Sequence, residues 1–186
     1  LSRLVGSVEA QPRIRFNDDL TREQRQRHLP LVHCRDCGAM GWATLVERDQ
    51  QHRFHVGLQA FYRGFFGKDP RVQFLFPAAA VTDDLPWAAA APRQRLHQET
   101  LCSVGDDGNV PHELVTEVVL SDNHRTVKGV RSLHKDCPFC GAKEVLTLVG
   151  FQAATLTSVL IDQLFASSFN AYKKLLTFSD SVQDAT

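Results

Sequence analysis

Long hydrophobic runs are missing from this 186-residue chain. No segment approaches a run of about 20 apolar residues, the length a membrane-spanning helix needs, so no membrane association is expected. The first residues also lack the basic and apolar regions of a secretory signal. Net charge is absent: 21 Lys and Arg balance 21 Asp and Glu, which disfavours a dedicated polycation of the histone type. There is no low-complexity tract. No Gly-x-x-x-x-Gly-Lys-Ser/Thr phosphate loop is present; Gly64-Phe-Phe-Gly67-Lys68-Asp69 has the wrong spacing and no hydroxyl to hold Mg²⁺. An Asp-Glu-x-Asp/His metal motif is missing as well. The chain on its own is therefore expected not to hydrolyse ATP. It begins at Leu1, not at a Met, and stops at Ala185-Thr186, so it reads as a piece of something larger.

What is there is a phrase used twice. Cys34-Arg-Asp-Cys37-Gly38-Ala39-Met-Gly-Trp-Ala-Thr44-Leu45-Val46 recurs as Cys137-Pro-Phe-Cys140-Gly141-Ala142-Lys-Glu-Val-Leu-Thr147-Leu148-Val149, with seven of thirteen aligned positions identical. Cys-x-x-Cys-Gly is the signature of a zinc knuckle: the short spacing turns both thiolates toward one metal, and the glycine accepts the positive φ of the turn. Two knuckles that each lead into an apolar run read as the halves of a Cys₄ zinc ribbon, with Cys34, Cys37, Cys137 and Cys140 as ligands. Four sulfurs close the tetrahedron, so the Zn²⁺ is expected to be structural, and a zinc hydrolase is disfavoured for want of an open position.

Between Cys37 and Cys137 lie 99 residues, far more than the usual gap of about 15–20. Loop closure grows only logarithmically with length, so stretching the gap costs about 1.5 kcal/mol. Structural zinc supplies an apparent ~10–16 kcal/mol in small peptides. The competing readings are two disulfides or reduced cysteines in a core. Two redox motifs would be redundant, and five cysteines without a signal peptide point to a reducing, cytoplasmic setting. Arg35, Lys135 and Lys143 are placed to offset the charge of four thiolates. His33 and His134 precede the pairs at nearly equivalent positions and are expected to lie outside the closed ligand shell. Cys102 is expected to be a small buried hydrophobe.

The chain is long enough for one core with a small satellite. Arg13–Phe16 is expected as a short strand, and Thr21 caps a short helix that Pro30 closes. Trp42–Val46 alternates as a strand. His55–Phe66 carries Val56, Phe61, Phe65 and Phe66 at helical spacing, a stripe read as core and not as a platform for bases. Arg71–Phe76 reads as a strand, followed by an Ala- and Pro-rich loop. Leu96–Val104 and Leu114–Leu120 flank Gly105-Asp-Asp-Gly-Asn109 and should pair as a hairpin. Thr126–Leu133 is expected to return as one strand into the second knuckle. The acidic pairs Asp83-Asp84 and Asp106-Asp107 are turn chemistry. Gln152–Phe165 reads as an amphipathic helix, Lys173–Phe178 as a strand, and Ser179-Asp180-Ser181 as the start of another helix. The fold class is thus α+β. Residues 1–30 form an N-terminal segment. Residues 31–150 form a zinc-ribbon-like domain carrying a mostly antiparallel β insert (47–133). Residues 151–186 are a C-terminal helix–strand unit.

Lys174-Leu-Leu-Thr-Phe-Ser-Asp-Ser-Val-Gln-Asp-Ala185 resembles motif IV at the start of the second RecA-like lobe in superfamily 2 DEAD/DEAH-box helicases. Some large bacterial members, including phage-defence and repair helicases, place a cysteine-rich segment between their two lobes, and this chain is similar to that segment. Residues 47–133 carry no part of the likeness. The resemblance implies a parent ATP-dependent helicase that binds ATP and Mg²⁺ outside this chain. It also implies RecA-like lobes as neighbours within the same chain, and DNA or RNA as the partner. Motif IV lies near the nucleic-acid backbone in the family, which would make Ser179 and Asp180 contributors. Basic residues near the knuckles, Arg35, Arg125, Lys128, Arg131 and Lys135, would then meet phosphates without reading sequence. A second dense basic run, Arg13 to His28, is more simply a solvated face. The other reading is a zinc-stabilised module for protein docking or for spacing the two lobes, which the zero net charge favours.

Overall fold

The computed structural model describes residues 4–9, 11–46, 53–54, 57–82, 85–105 and 110–149. All of them fall within a unit spanning Leu1–Gly150. The helix and strand expected after residue 151, with Ser179 and Asp180, lie outside the described residues, as do Asp83-Asp84 and Asp106-Asp107.

Apolar residues at alternate positions build a sheet buried on both faces. In chain order the strands are β1 (Leu4–Ser7), β2 (Ile14–Phe16), β3 (His28–Cys34), β4 (Met40–Leu45), β5 (Val72–Pro77), β6 (Arg93–His97), β7 (Ser103–Val104), β8 (Val115–Ser121), β9 (His124–Val127), β10 (Val130–Leu133) and β11 (Leu146–Leu148). Two helices, α1 (Arg22–Arg25) and α2 (Leu58–Phe66), interrupt them. Nine strands make one antiparallel sheet in the order β2-β1-β3-β4-β5-β8-β6-β7, with β11 added against β3. β9 and β10 form a separate ribbon. On β5, Phe74 and Phe76 enter one core with Val32, Ala43, Phe61 and Phe65, and Leu75 between them enters the other with Leu31, Trp42 and Val118. That period of two is what the pleat dictates.

The aromatic stripe is core as expected: Phe61 and Phe65 are buried on α2, although Phe66 is exposed. Gly64 lets the helix approach the sheet, since a Cβ there would sit 3.0 Å from Leu45 Cδ1. The described residues are mostly antiparallel sheet with few helices, as the α+β reading expects.

Several local expectations are corrected. Thr21 does cap α1, in a capping box with Gln24, but Pro30 does not close the helix; it lies inside β3, opposite Val5. Leu96–Val104 is not one strand. The chain turns back at Leu101, whose φ is 54°, and makes β6 and β7 a hairpin of their own; β8 then pairs with β6 and not with β7, so the strands on either side of residues 105–109 are not the hairpin partners expected. Cys102, in that turn, is half-buried and not enclosed. Thr126–Leu133 likewise splits into the β9–β10 ribbon, because Lys128 (φ 52°) and Gly129 (φ 78°) supply the two left-handed residues of a tight hairpin turn.

Gly41 is fixed by its neighbours. An added Cβ would lie 2.4 Å from the Leu75 carbonyl oxygen and 2.6 Å from Phe76 Cδ1, so β4 and β5 could not keep their spacing. Gly41→Ala is expected to cost about 1–3 kcal/mol, the range for overpacking. Gly57→Ala, where a Cβ meets nothing within 4 Å, should leave the melting temperature nearly unchanged. Equal shifts for the two would contradict the packing argument.

Candidate metal centre

Each half of the repeated phrase folds into the same turn. Cys34 N–H donates to Ala39 O at 2.8 Å and Gly38 N–H to Cys34 O at 3.0 Å; Cys137 N–H donates to Ala142 O at 2.8 Å and Gly141 N–H to Cys137 O at 3.0 Å. Gly38 and Gly141 have φ of 75° and 73°, the left-handed conformation that glycine reaches without a steric cost. Amides of the turn point at sulfur: Asp36 N–H and Cys37 N–H lie 3.4 and 3.5 Å from Cys34 Sγ.

Sheet pairing then brings the two turns together. β11 runs antiparallel to β3 with Leu146 opposite Cys34. Arg35 N–H donates to Val145 O at 3.2 Å and Leu146 N–H to Lys135 O at 2.8 Å. The second turn is also held from below. Phe139 packs edge-on against Phe76 and Trp87, with ring centroids 5.0 and 5.5 Å away. The buried Asn123 donates from Nδ2 to Asp136 O at 2.6 Å, and its own carbonyl accepts from His134 N–H at 2.7 Å.

The outcome is four sulfurs at one point. Cys34 Sγ is 3.7 Å from Cys140 Sγ, Cys37 Sγ is 3.7 Å from Cys137 Sγ, and all four lie within 4.8 Å of one another. Zn–S bonds of about 2.3 Å in a tetrahedron put sulfurs about 3.8 Å apart, so the spacing fits zinc. None of the four is in a disulfide. The first cysteine of each pair is buried in the core and the second is exposed, so the site sits at the rim of the sheet. Burial tends to raise the Cys34 thiol, but the amides of Cys37 and Asp36 bring it down to about 7. Burial pushes Cys37 and Cys137 up. A metal must therefore displace protons from sulfur as it binds. A Zn²⁺ held by these four would serve as a clamp between chain segments.

A second group of ligand-type side chains, His134, Asp136 and Glu144, also converges within 4.8 Å. Its atoms are already engaged. Asp136 Oδ1 accepts from Glu144 N–H at 3.0 Å and its other oxygen meets Arg125. Glu144 Oε1 lies 3.2 Å from His134 Nδ1 and 3.8 Å from Lys68 Nζ. These contacts tie His134, Asp136 and Glu144 into one polar strut beside the second knuckle. His33 is half-buried on β3, opposite Met40 and Thr147.

Compared with known proteins, the chain matches no family model, no curated protein and no solved structure.

The other residues expected to function are only partly gathered. Arg125 and Arg131 stand on opposite strands of the ribbon with Lys128 at its tip, all exposed. Arg125 pairs with Asp136, and Arg131 lies 3.5 Å from Asp122. Arg35 is exposed on the first knuckle and donates to Glu144 O at 3.3 Å. Lys135 turns inward: its ammonium sits 4.3 Å from the centre of the Phe65 ring, and burial lowers its pKa. Sequence reasoning missed Asn123, Phe139 and Trp87 as supports of the site. Only Phe139, an aromatic inside a Cys-x-x-Cys, carried a local signal.

Metal analysis should return about one zinc per chain, released on acidification because protons compete for the thiolates. Cys137→Ser should abolish that stoichiometry and lower the melting temperature far more than Cys102→Ser. Equal shifts would mean that the metal is not the clamp.

Proposed function

We propose that this chain is a structural-zinc accessory module of a DEAD/DEAH-box-type ATP-dependent helicase, assisting the parent's hold on DNA or RNA and performing no catalysis itself. The zinc half of this reading stands on the sulfur geometry. The nucleic-acid half is supported by one observation above others: Arg125, Lys128 and Arg131, three residues apart in sequence, are presented together on a single exposed ribbon that leads into the second knuckle. The likeness of residues 174–185 to motif IV supplies the helicase context, with RecA-like lobes of the same chain as neighbours and ATP and Mg²⁺ confined to them. None of the described helices is long and apolar enough to cross a membrane.

A second reading, protein docking or spacing of the lobes, is favoured by the ion pairs that Arg125 and Arg131 make with Asp136 and Asp122. Salt dependence separates the two. Neutralising the ribbon in the parent by Arg125→Gln and Lys128→Gln should weaken nucleic-acid binding and flatten the plot of log affinity against log salt by about 0.7–0.9 for each phosphate no longer neutralised. Unchanged affinity and slope favour the docking reading. The isolated chain should show no ATP turnover after rigorous purification, since the phosphate loop is absent; turnover would overturn the assignment.

A further inference from the structure

The β9–β10 ribbon does not stand alone. Between it and the end of α2 lies an open groove of about 640 Å³, lined by Arg63, Lys68, Arg71 and Arg131, with Gly67, Asp69, Pro70, Val130 and Ser132 as its polar and apolar fill. We propose that this groove takes the phosphate backbone of a nucleic-acid duplex. The inference rests on the nucleic-acid reading above and names the surface and the form of the ligand.

Four cations share this surface with one carboxylate, and that carboxylate is occupied. Asp69 grips the Arg71 guanidinium through both oxygens, at 2.7 and 3.1 Å, and accepts the Arg71 N–H at 2.9 Å. Asp69 thus fixes where the Arg71 guanidinium sits on the groove wall. The other acidic neighbours are loosely held: Lys68 is 3.8 Å from Glu144, and Arg131 is 3.5 Å from an Asp122 side chain that is 74% exposed. Such exposed pairs are weak and readily exchanged for a phosphate. Both walls are tied together, because Leu133 N–H of β10 donates to Lys68 O at 3.0 Å. The separation of the two walls is therefore set before any ligand arrives, which lowers the cost of binding.

Among the described residues that line the groove, none is aromatic. Single strands are gripped by stacking bases on aromatic rings as well as by charge. A groove with charge but no stacking surface suits a duplex, whose bases are already stacked and which offers only its backbone.

The test uses the zinc-loaded chain and a labelled duplex of about 20 base pairs in two unrelated sequences, with a single strand of equal length and polyglutamate as competitors. Arg63→Gln/Arg131→Gln is compared with Arg15→Gln/Arg22→Gln, which removes the same charge from β2 and the start of α1. The groove pair should lower the salt slope by about 2 for both duplexes, close to 0.9 for each phosphate left without its cation, while the control pair leaves it unchanged. Arg63→Lys/Arg131→Lys should restore most of the slope. Equal zinc content across the variants shows that the fold is intact. An unchanged slope in the groove pair overturns the proposal, and so does preference for the single strand or displacement by polyglutamate alone. If only the control pair loses slope, the groove fails and the nucleic-acid reading survives on another face. If neither the chain nor its parent binds any nucleic acid, both fall.

Discussion

Four sulfurs from turns a hundred residues apart must occupy the corners of one tetrahedron, and the rest of the unit is arranged so that they do. A knuckle by itself presents two thiolates and half a site. What completes it is the pairing of β11 with β3, which sets the second knuckle beside the first with the two cysteine pairs facing each other. Cys34 and Cys137 belong to the same buried cluster as Phe74, Phe76 and Leu133. The metal site and the sheet core are therefore one cooperative object. Sulfur geometry holds the last strand in register, and packing beneath the sulfurs holds the geometry.

That coupling explains why the long insert is tolerable. The residues between the knuckles supply β4 to β10 and α2, so the described part of the chain between the ligands is mostly folded into the sheet and its ribbon. Phe76 of β5 and Trp87 meet Phe139 of the second knuckle, and Asn123 after β8 holds its approach. The insert thereby builds the seat on which the second half of the zinc site rests. Zinc stability and insert stability are expected to rise and fall together.

How much of this was legible in the sequence depended on whether the signal was local. The knuckles were readable residue by residue, because Cys-x-x-Cys-Gly specifies its own turn and both glycines take the φ that the motif requires. Strands with alternating apolar residues, such as β4 and β5, were readable for the same reason. Turns made by residues other than glycine were not. Leu101, Lys128 and Glu144 all adopt positive φ, which such side chains disfavour, and nothing nearby in sequence announces it. At Leu101 and Lys128 a single expected strand became a hairpin. Glu144 is held left-handed by contacts to Asp136, His134 and Lys68, which are partners 8, 10 and 76 residues away. The pairing of β11 with β3 and the seat under Phe139 are also long-range, so sequence could name the four ligands but not what brings them together.

The zero net charge of the chain conceals a local asymmetry that bears on function. Positive residues around the ribbon and the end of α2 come from distant stretches, Arg63 to Arg71 and Arg125 to Arg131, and the fold collects them. Acidic residues are collected too, but they are spent within the unit: Asp69 on Arg71, Asp136 on Arg125 and the Glu144 amide. Each such pair is locally neutral, so the field an approaching phosphate meets is set by how the remaining cations are placed. Charge counting over the whole sequence cannot register this difference, because it weighs an engaged aspartate and a solvent-facing arginine alike. Placement therefore reopens what net charge argued against. A neutral chain can still present a phosphate-binding face, provided the acids are used to position the bases.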